Sequence, residues 1–252
     1  MSATKKKNSE NSTKPKLQKF LADCGVCSRR KGEEMIGNAE VTINGEIASL
    51  GVRVDPNKDI VKLNGRRIQA FRQETLTLLV NKPKGFTCSN SDEHADKLIF
   101  ELLEAKHRKY RLFCAGRLDL ESQGMVILTN DGNLAHRLTH PSQGVRKKYQ
   151  VEINQPLEQE HFSKLLEGIE EGGEFIRLDE IRAKSGNPIG SSKLEIILGH
   201  GKKREIRRAF GFFRYRIRKL RRIAIGGLSL GKTPLGHYRE LENKEIDLLF
   251  PK

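Results

Sequence analysis

The stretch CAGRLDLESQGMVILTNDG, residues 114–132, limits what this chain can fold into more than any other. Apolar runs at 112–115 and 125–128 have strand character, and a polar segment bounded by Gly116 and Gly124 separates them. A loop clamped by sheet at both ends is a rigid mount from which a single side chain can be presented. Asp119 stands in the middle of it. Taken alone, such an aspartate is more often a turn or cap residue than a reactive group. Asp131-Gly132 then turns the chain into an amphipathic helix over 133–139, which Pro141 stops.

The rest of the chain reads as α+β around this loop. Residues 76–80, LTLLV, form a buried strand; Lys82-Pro83-Lys84-Gly85 is a basic turn; residues 98–103 are helical. Residues 147–153 alternate as a strand, 191–198 form another, a basic helix follows, and strand-like runs over 220–230 surround Gly226-Gly227. These elements make one domain over 76–252. Upstream, Leu17, Phe20, Leu21 and Cys24 recur at helical spacing and Gly25 ends the helix. Ser28 can cap a second helix beginning at Arg29, although Lys31 stands where a capping box would place Glu. Asn44-Gly45 and Asn64-Gly65 lie between alternating runs, which is a strong hairpin signal. Two helices and a few strands therefore make a compact unit over 16–68. Residues 69–75 read as a linker, and the polar, lysine-bearing tail over 1–15 is expected to be disordered.

Charge narrows the partner. The formal net charge is +15, and from His200 to Arg222 eleven Lys or Arg face one acid, Glu205, so this strip holds +10 of it. A solvated surface would intersperse acids, so the strip points to a polyanion, and nucleic acid suits it better than a membrane. Residues 155–182 carry eight acids against three bases and are expected to face away from it. Lys202, Lys203, Arg204, Arg214, Arg216, Arg218, Arg221 and Arg222 are the pool for phosphate contacts, and three cations at the start of the second helix, Arg29, Arg30 and Lys31, suit a phosphate backbone as well. No apolar run approaches membrane-spanning length. Cys24, Cys27, Cys88 and Cys114 lie in apolar settings with no signal peptide upstream, which reads as reduced packing residues of a cytoplasmic protein. Cys24-x-x-Cys27 has no second Cys/His pair at ligand spacing, so no metal site is expected.

Two resemblances sharpen this reading. The stretch KLQKFLADCGVCSRRKGEEMIGNAEVTINGEIASLGVRV resembles the small RNA-binding module first known from a ribosomal small-subunit protein, the S-four module. That likeness implies that Arg29 and Arg30 grip RNA. GRLDLESQGMVILTNDG resembles the signature of RNA pseudouridine synthases, in particular the RsuA-like branch that modifies ribosomal RNA behind such a module. NKPKGFTCS, KKYQV, GKKREIRRAF and KLRRIAIGGLSLG agree in order, and together the matches cover nearly everything from Lys16 to Leu241.

The resemblance implies a mixed, largely antiparallel-sheet catalytic domain that converts uridine to pseudouridine in ribosomal RNA, without a cofactor, on a flipped-out base. Asp119 becomes the catalytic carboxylate and Arg207 its bidentate partner, keeping it charged and oriented. Tyr149 stacks on the base, Leu220 packs near the carboxylate, and Arg117 either fills the vacated helix position or holds the loop. The partner is ribosomal RNA or a pre-ribosomal particle, bound by a monomer. A noncatalytic ribosome assembly factor on the same fold and a glycosidase releasing uracil are the competing readings. Three departures from the family pattern, Met125 for Leu, EHADK at 93–97, and His200 for Glu, bear on target choice more than on chemistry.

Overall fold

The computed structural model describes residues 14–69, 74–90 and 95–250. Most of the tail expected over 1–15 and of the linker expected over 69–75 lies outside these residues, as does the start of the EHADK run. The chain divides into two compact units, Met1–Glu74 and Thr75–Lys252.

In the first unit, helix α1 (Leu17–Asp23) buries Leu17, Phe20 and Leu21, the face set by their spacing. The Ser28 hydroxyl accepts the Lys31 N–H at 3.1 Å and opens helix α2 (Arg29–Gly37), satisfying one of the donors a helix start leaves free. Arg29 and Arg30 are exposed there. Strands β1 (Val41–Ile43), β2 (Glu46–Ile47), β3 (Val61–Leu63) and β4 (Arg66–Arg67) form a sheet of order β2-β1-β3-β4. Both hairpin turns have positive φ at Asn and Gly alike, 53° and 96° at Asn44-Gly45, 47° and 78° at Asn64-Gly65. Asn-Gly is the pair that tolerates this best. Leu17, Leu21, Val41, Val54 and Val61 close the core between helices and sheet.

The second unit is one twisted, nine-stranded sheet with helices packed on it. Its order is β11-β12-β8-β13-β7-β5-β15, where β5 is Thr77–Lys82, β7 Gln123–Thr129, β8 Lys147–Ile153, β11 Glu180–Ala183, β12 Lys193–Leu198, β13 Ile217–Ile225 and β15 Tyr238–Glu240. β6 (Phe113–Ala115) pairs with β7, and β14 (Leu228–Ser229) with β13. Every pairing among the described strands of this sheet is antiparallel except β13 with β7, which is parallel over two residues. Leu78, Val80, Val126 and Leu128 face one core, while Leu79, Met125 and Ile127 face another. Both faces of β5 and β7 are covered, which is why their sequences read as unbroken apolar runs.

The order of strands explains the central loop. β7 lies between β5 and β13, so the loop entering it opens at the seam where β13 turns parallel. Gly124 has φ of 110°, and a Cβ there would lie 2.2 Å from the Arg222 carbonyl oxygen. Only glycine permits this approach.

Three expected elements differ. The helix at 98–103 is one 3-10 turn, Ile99–Leu102. Lys82 ends strand β5 with no exposed surface instead of starting a turn. The basic strip is not one helix: α6 spans only Glu205–Phe212, Arg214 at φ of 62° ends the turn, and β13 takes residues from Ile217 onward. β-branched Ile217 and Ile223 favour the strand, and pairing with β8 outweighs the helical tendency of the arginines. The remaining helices are α3 (Ala105–Arg108), α4 (Gly132–Thr139), α5 (Gln159–Glu167) and α7 (Asn243–Asp247), with a small hairpin of β9 (Ile169–Glu171) and β10 (Glu174–Ile176). Among the described residues no helix is long and apolar enough to cross a membrane.

Candidate active site

The loop between β6 and β7 is held by its main chain. Gly85 N–H donates to the Leu120 carbonyl at 3.0 Å, and Ser122 N–H donates to the Asp119 carbonyl at 3.0 Å. The Leu118 N–H donates to the Cys88 sulfur. Arg222 Nη1 donates to the Arg117 carbonyl at 3.3 Å, and Arg207 Nη2 to the Glu121 carbonyl at 3.1 Å. Anchors from widely separated segments thus fix residues 117–122, leaving the Asp119 side chain to project.

Asp119 lines a cavity of about 790 Å³, together with Arg117, Tyr149, Arg204, Arg207 and Leu220. Its Oδ2 lies 3.9 Å from Arg204 Nη1 and 4.0 Å from Arg207 Nε, and its side chain is 35% exposed. The two cations therefore share the carboxylate at long range. This corrects the expected bidentate Arg207 pair: Arg207 spends Nη2 on the Glu121 carbonyl and the Ser122 hydroxyl, 3.2 Å away, while its buried Nε has no hydrogen-bond acceptor. Burial, reinforced by the charge of Arg204, lowers the Arg207 pKa; Asp119 and Glu121 oppose the shift. Arg204 adopts φ of 53° at the N-cap of α6, a left-handed conformation uncommon outside glycine. Such conformations cluster at functional sites.

Tyr149 and Leu220 form the apolar wall. Tyr149 sits mid-strand in β8 opposite Arg222, Leu220 sits opposite Val151, and both are more than 90% buried. Lys147, on the same face of β8 two residues before Tyr149, also lines the cavity; burial and then Arg222 lower its pKa against Glu205. Arg117 is exposed at the loop's start.

The neighbours of Arg207 show how position separates like residues. Arg208 faces away and binds Glu171 and Glu174 from the β9–β10 hairpin, so part of the acidic stretch neutralises one arginine of the strip. His200 Nδ1 lies 2.8 Å from Oε1 of buried Glu205, without hydrogen-bond alignment, and its Nε2 is 3.6 Å from Asp179. Asp179 in turn accepts the Gly199 N–H at 2.6 Å, and Glu205 accepts that of Lys202 at 3.0 Å. These contacts order the turn that carries Lys202, Lys203 and Arg204, all three exposed. Lys202 Nζ donates to the Phe175 carbonyl.

The phosphate pool expected from the strip shrinks accordingly. Arg214, Arg216 and Arg218 are exposed and Arg221 is half-buried, but Arg222 is only 4% exposed and donates inward, with Nε on the Met125 carbonyl at 2.7 Å. A second cation below the loop, Lys82, went unrecognised in sequence. Its Nζ donates to the Pro83 carbonyl at 2.9 Å and, at 3.5 Å, to that of Leu120, and burial lowers its pKa. The strand run preceding it was a usable signal, since it continues through Asn81 into Lys82.

Residues 76–211 match the family model described as RNA pseudouridylate synthase, and residues 16–60 match that of the S4 domain. An uncharacterized RNA pseudouridine synthase of Aquifex aeolicus is 37% identical over 93% of either chain. The ribosomal large subunit pseudouridine synthase B of Pseudomonas aeruginosa is 34% identical over 93% of this chain and 61% of its own. A crystal structure of a pseudouridylate synthase shares the fold at a TM-score of 0.66 and 27% identity, covering 93% of this chain and 99% of that one.

Proposed function

The chain belongs to the RsuA-like branch of the RNA pseudouridine synthase family, and from that premise we propose that it isomerises uridine to pseudouridine in ribosomal RNA, using the Asp119 carboxylate on an extruded base. The reaction breaks the bond between C1′ of the ribose and N1 of uracil, turns the base and joins C1′ to C5. C5 gives up a proton and N1 takes one up, so no oxidant, reductant or donor group is consumed.

The observation that carries the reading is one carboxylate on a rigid loop, in a cavity large enough to admit a nucleotide, with two guanidinium groups about 4 Å from the same oxygen. At that distance neither cation occupies the lone pairs of the carboxylate. Asp119 remains free to attack the sugar or base or to take a sugar proton. Tyr149 and Leu220 offer an apolar wall for a uracil ring. Extruding a base costs a few kcal/mol, and phosphate contacts by Lys203, Arg214, Arg216 and Arg218 offset it. In the N-terminal unit, Arg29 and Arg30 at the start of α2 supply a second RNA contact.

The test is to incubate wild type and Asp119→Asn with ribosomal RNA transcripts and partly assembled subunits and to map pseudouridine. Large-subunit RNA comes first, because a relative is named for it. Pseudouridine from wild type alone is the expected result. Binding by both without pseudouridine from either would establish an assembly factor instead, and free uracil a glycosidase.

A further inference from the structure

We infer that Arg222 is a positioning residue for Asp119, fastening both ends of the catalytic loop to the strand that also sets Tyr149 in register. The inference rests on the proposed reaction at this site. Arg222 occupies a junction in the sheet. Its main chain pairs with Tyr149 of β8 on one side and with Gly124 of β7 on the other. That contact with β7 is possible only because Gly124 lacks a Cβ, which would otherwise meet the Arg222 backbone at 2.2 Å.

The side chain then reaches both arms of the loop. Nη1 donates to the carbonyl of Arg117, two residues before Asp119, and Nε to that of Met125, six residues after it. One rigid, planar guanidinium therefore spans the loop. A register shift in β13 between Arg222 and Ala224 is the kind of bulge that re-aims a side chain.

The fit has a cost. Arg222 is only 4% exposed, no carboxylate lies within ion-pair distance among the described residues, and its buried Nη2 has no acceptor. Lys82 and Lys147 are close enough that its charge lowers the pKa of each. A buried guanidinium beside like charges is a poor way to stabilise a fold. Holding two carbonyls at a fixed spacing across the Asp119 loop is what an apolar residue in that place could not do.

The experiment compares wild type with Arg222→Met and Arg222→Lys. Hydrogen exchange in peptides covering 116–124 is read against β12, alongside single-turnover rate and affinity for a ribosomal RNA transcript. The loop is expected to exchange at least about tenfold faster in Arg222→Met with β12 unchanged, because a lost anchor opens the loop locally. The rate is expected to fall about 100-fold at an affinity within about twofold of wild type, since a 1 Å displacement of a reacting group costs that much. Arg222→Lys recovers part of the rate, one ammonium serving one carbonyl at a time. If Arg222→Met does not fold, the same readings on Arg222→Lys decide. Loop exchange equal to wild type in a folded variant overturns the inference, and so does a rate loss caused wholly by weaker binding. Wild type that makes no pseudouridine would sink the proposed reaction, while the exchange measurement would still decide whether Arg222 holds the loop.

Discussion

Two pairs of cations flank the Asp119 loop, and they are held in opposite ways. On the cavity side, Arg204 and Arg207 approach the carboxylate oxygen at 3.9 and 4.0 Å and make no hydrogen bond to it. Beneath the loop, Lys82 and Arg222 are buried and bond main-chain carbonyls of Pro83, Leu120, Arg117 and Met125. The upper pair acts on the charge of the side chain; the lower pair acts on the position of the backbone beneath it. Substitutions above should therefore change rate with little change in stability, and substitutions below should change both.

The largest effect is expected where the pairs converge. Asp119→Asn keeps the shape of the side chain and removes its charge, so the rate should fall on the order of 10⁴-fold or more. Its melting temperature should stay within about 2 °C of wild type, because a partly exposed carboxylate at 4 Å from its cations contributes little stability. A variant that melts much lower would mean that Asp119 is a structural member of the loop, and the separation between the pairs would fail.

Gly124→Ala probes the lower level without touching a charge. The new Cβ would collide with the Arg222 carbonyl and sit on a backbone at φ of 110°. Chemical denaturation should show a loss of about 3 kcal/mol, in the range for a core clash combined with backbone strain. A neutral result would show that β7 and β13 can separate at this point, and Arg222 would then be a loose anchor.

The upper pair should also divide. Arg207 is mostly buried and is tied to the Glu121 carbonyl and the Ser122 hydroxyl, whereas Arg204 is 47% exposed. Arg207→Lys loses the planar fork that spans loop and carboxylate, so the rate should drop about 30-fold at near-constant stability. Arg204→Gln should cost about threefold, as expected for a solvent-screened charge. Equal losses would mean that charge alone, without the tie to the loop, is what matters above Asp119.

The same contrast separates what could be read from the sequence from what could not. The cap at Ser28, both Asn-Gly hairpins and strand β8 follow from neighbouring residues, and the structure places them where those residues put them. Asp119, Tyr149, Arg207 and Leu220, grouped by resemblance, line one cavity. The burial of Lys82 was hinted at only by the strand run that leads into it, and that of Arg222 was not legible, because arginine is usually at the surface and what covers it arrives from distant segments. Arg222 meets Met125 from 97 positions away and Arg117 from 105. The basic strip misled for the same reason: a run of cations gives its total charge, while pairing with β8 decides which of them turn inward.

The smallest expected effect concerns the counter-charge of the lower pair. No carboxylate lies within ion-pair distance of Lys82 or Arg222 among the described residues, but the Cys88 thiol lies close to both. The hydrogen bond from Cys114 pulls the Cys88 thiol below its ordinary range against burial; the Leu118 N–H, Lys82 and Arg222 add to the pull. Cys88 is therefore the thiol of this pair that is biased toward the thiolate, and it is the group on which the lower level can draw for negative charge. A folded pKa held below the unfolded one gives stability that is present at alkaline pH and is lost as pH falls through the lowered value. Wild type should accordingly lose more stability than Cys88→Ser between pH 8 and pH 5.5. Iodoacetamide should modify Cys88 already well below pH 8, at a rate that rises with the thiolate fraction. Alkylation that stays negligible up to pH 8 and then rises would leave Lys82 and Arg222 with no local counter-charge, and the lower pair would have to be held by its carbonyl bonds alone.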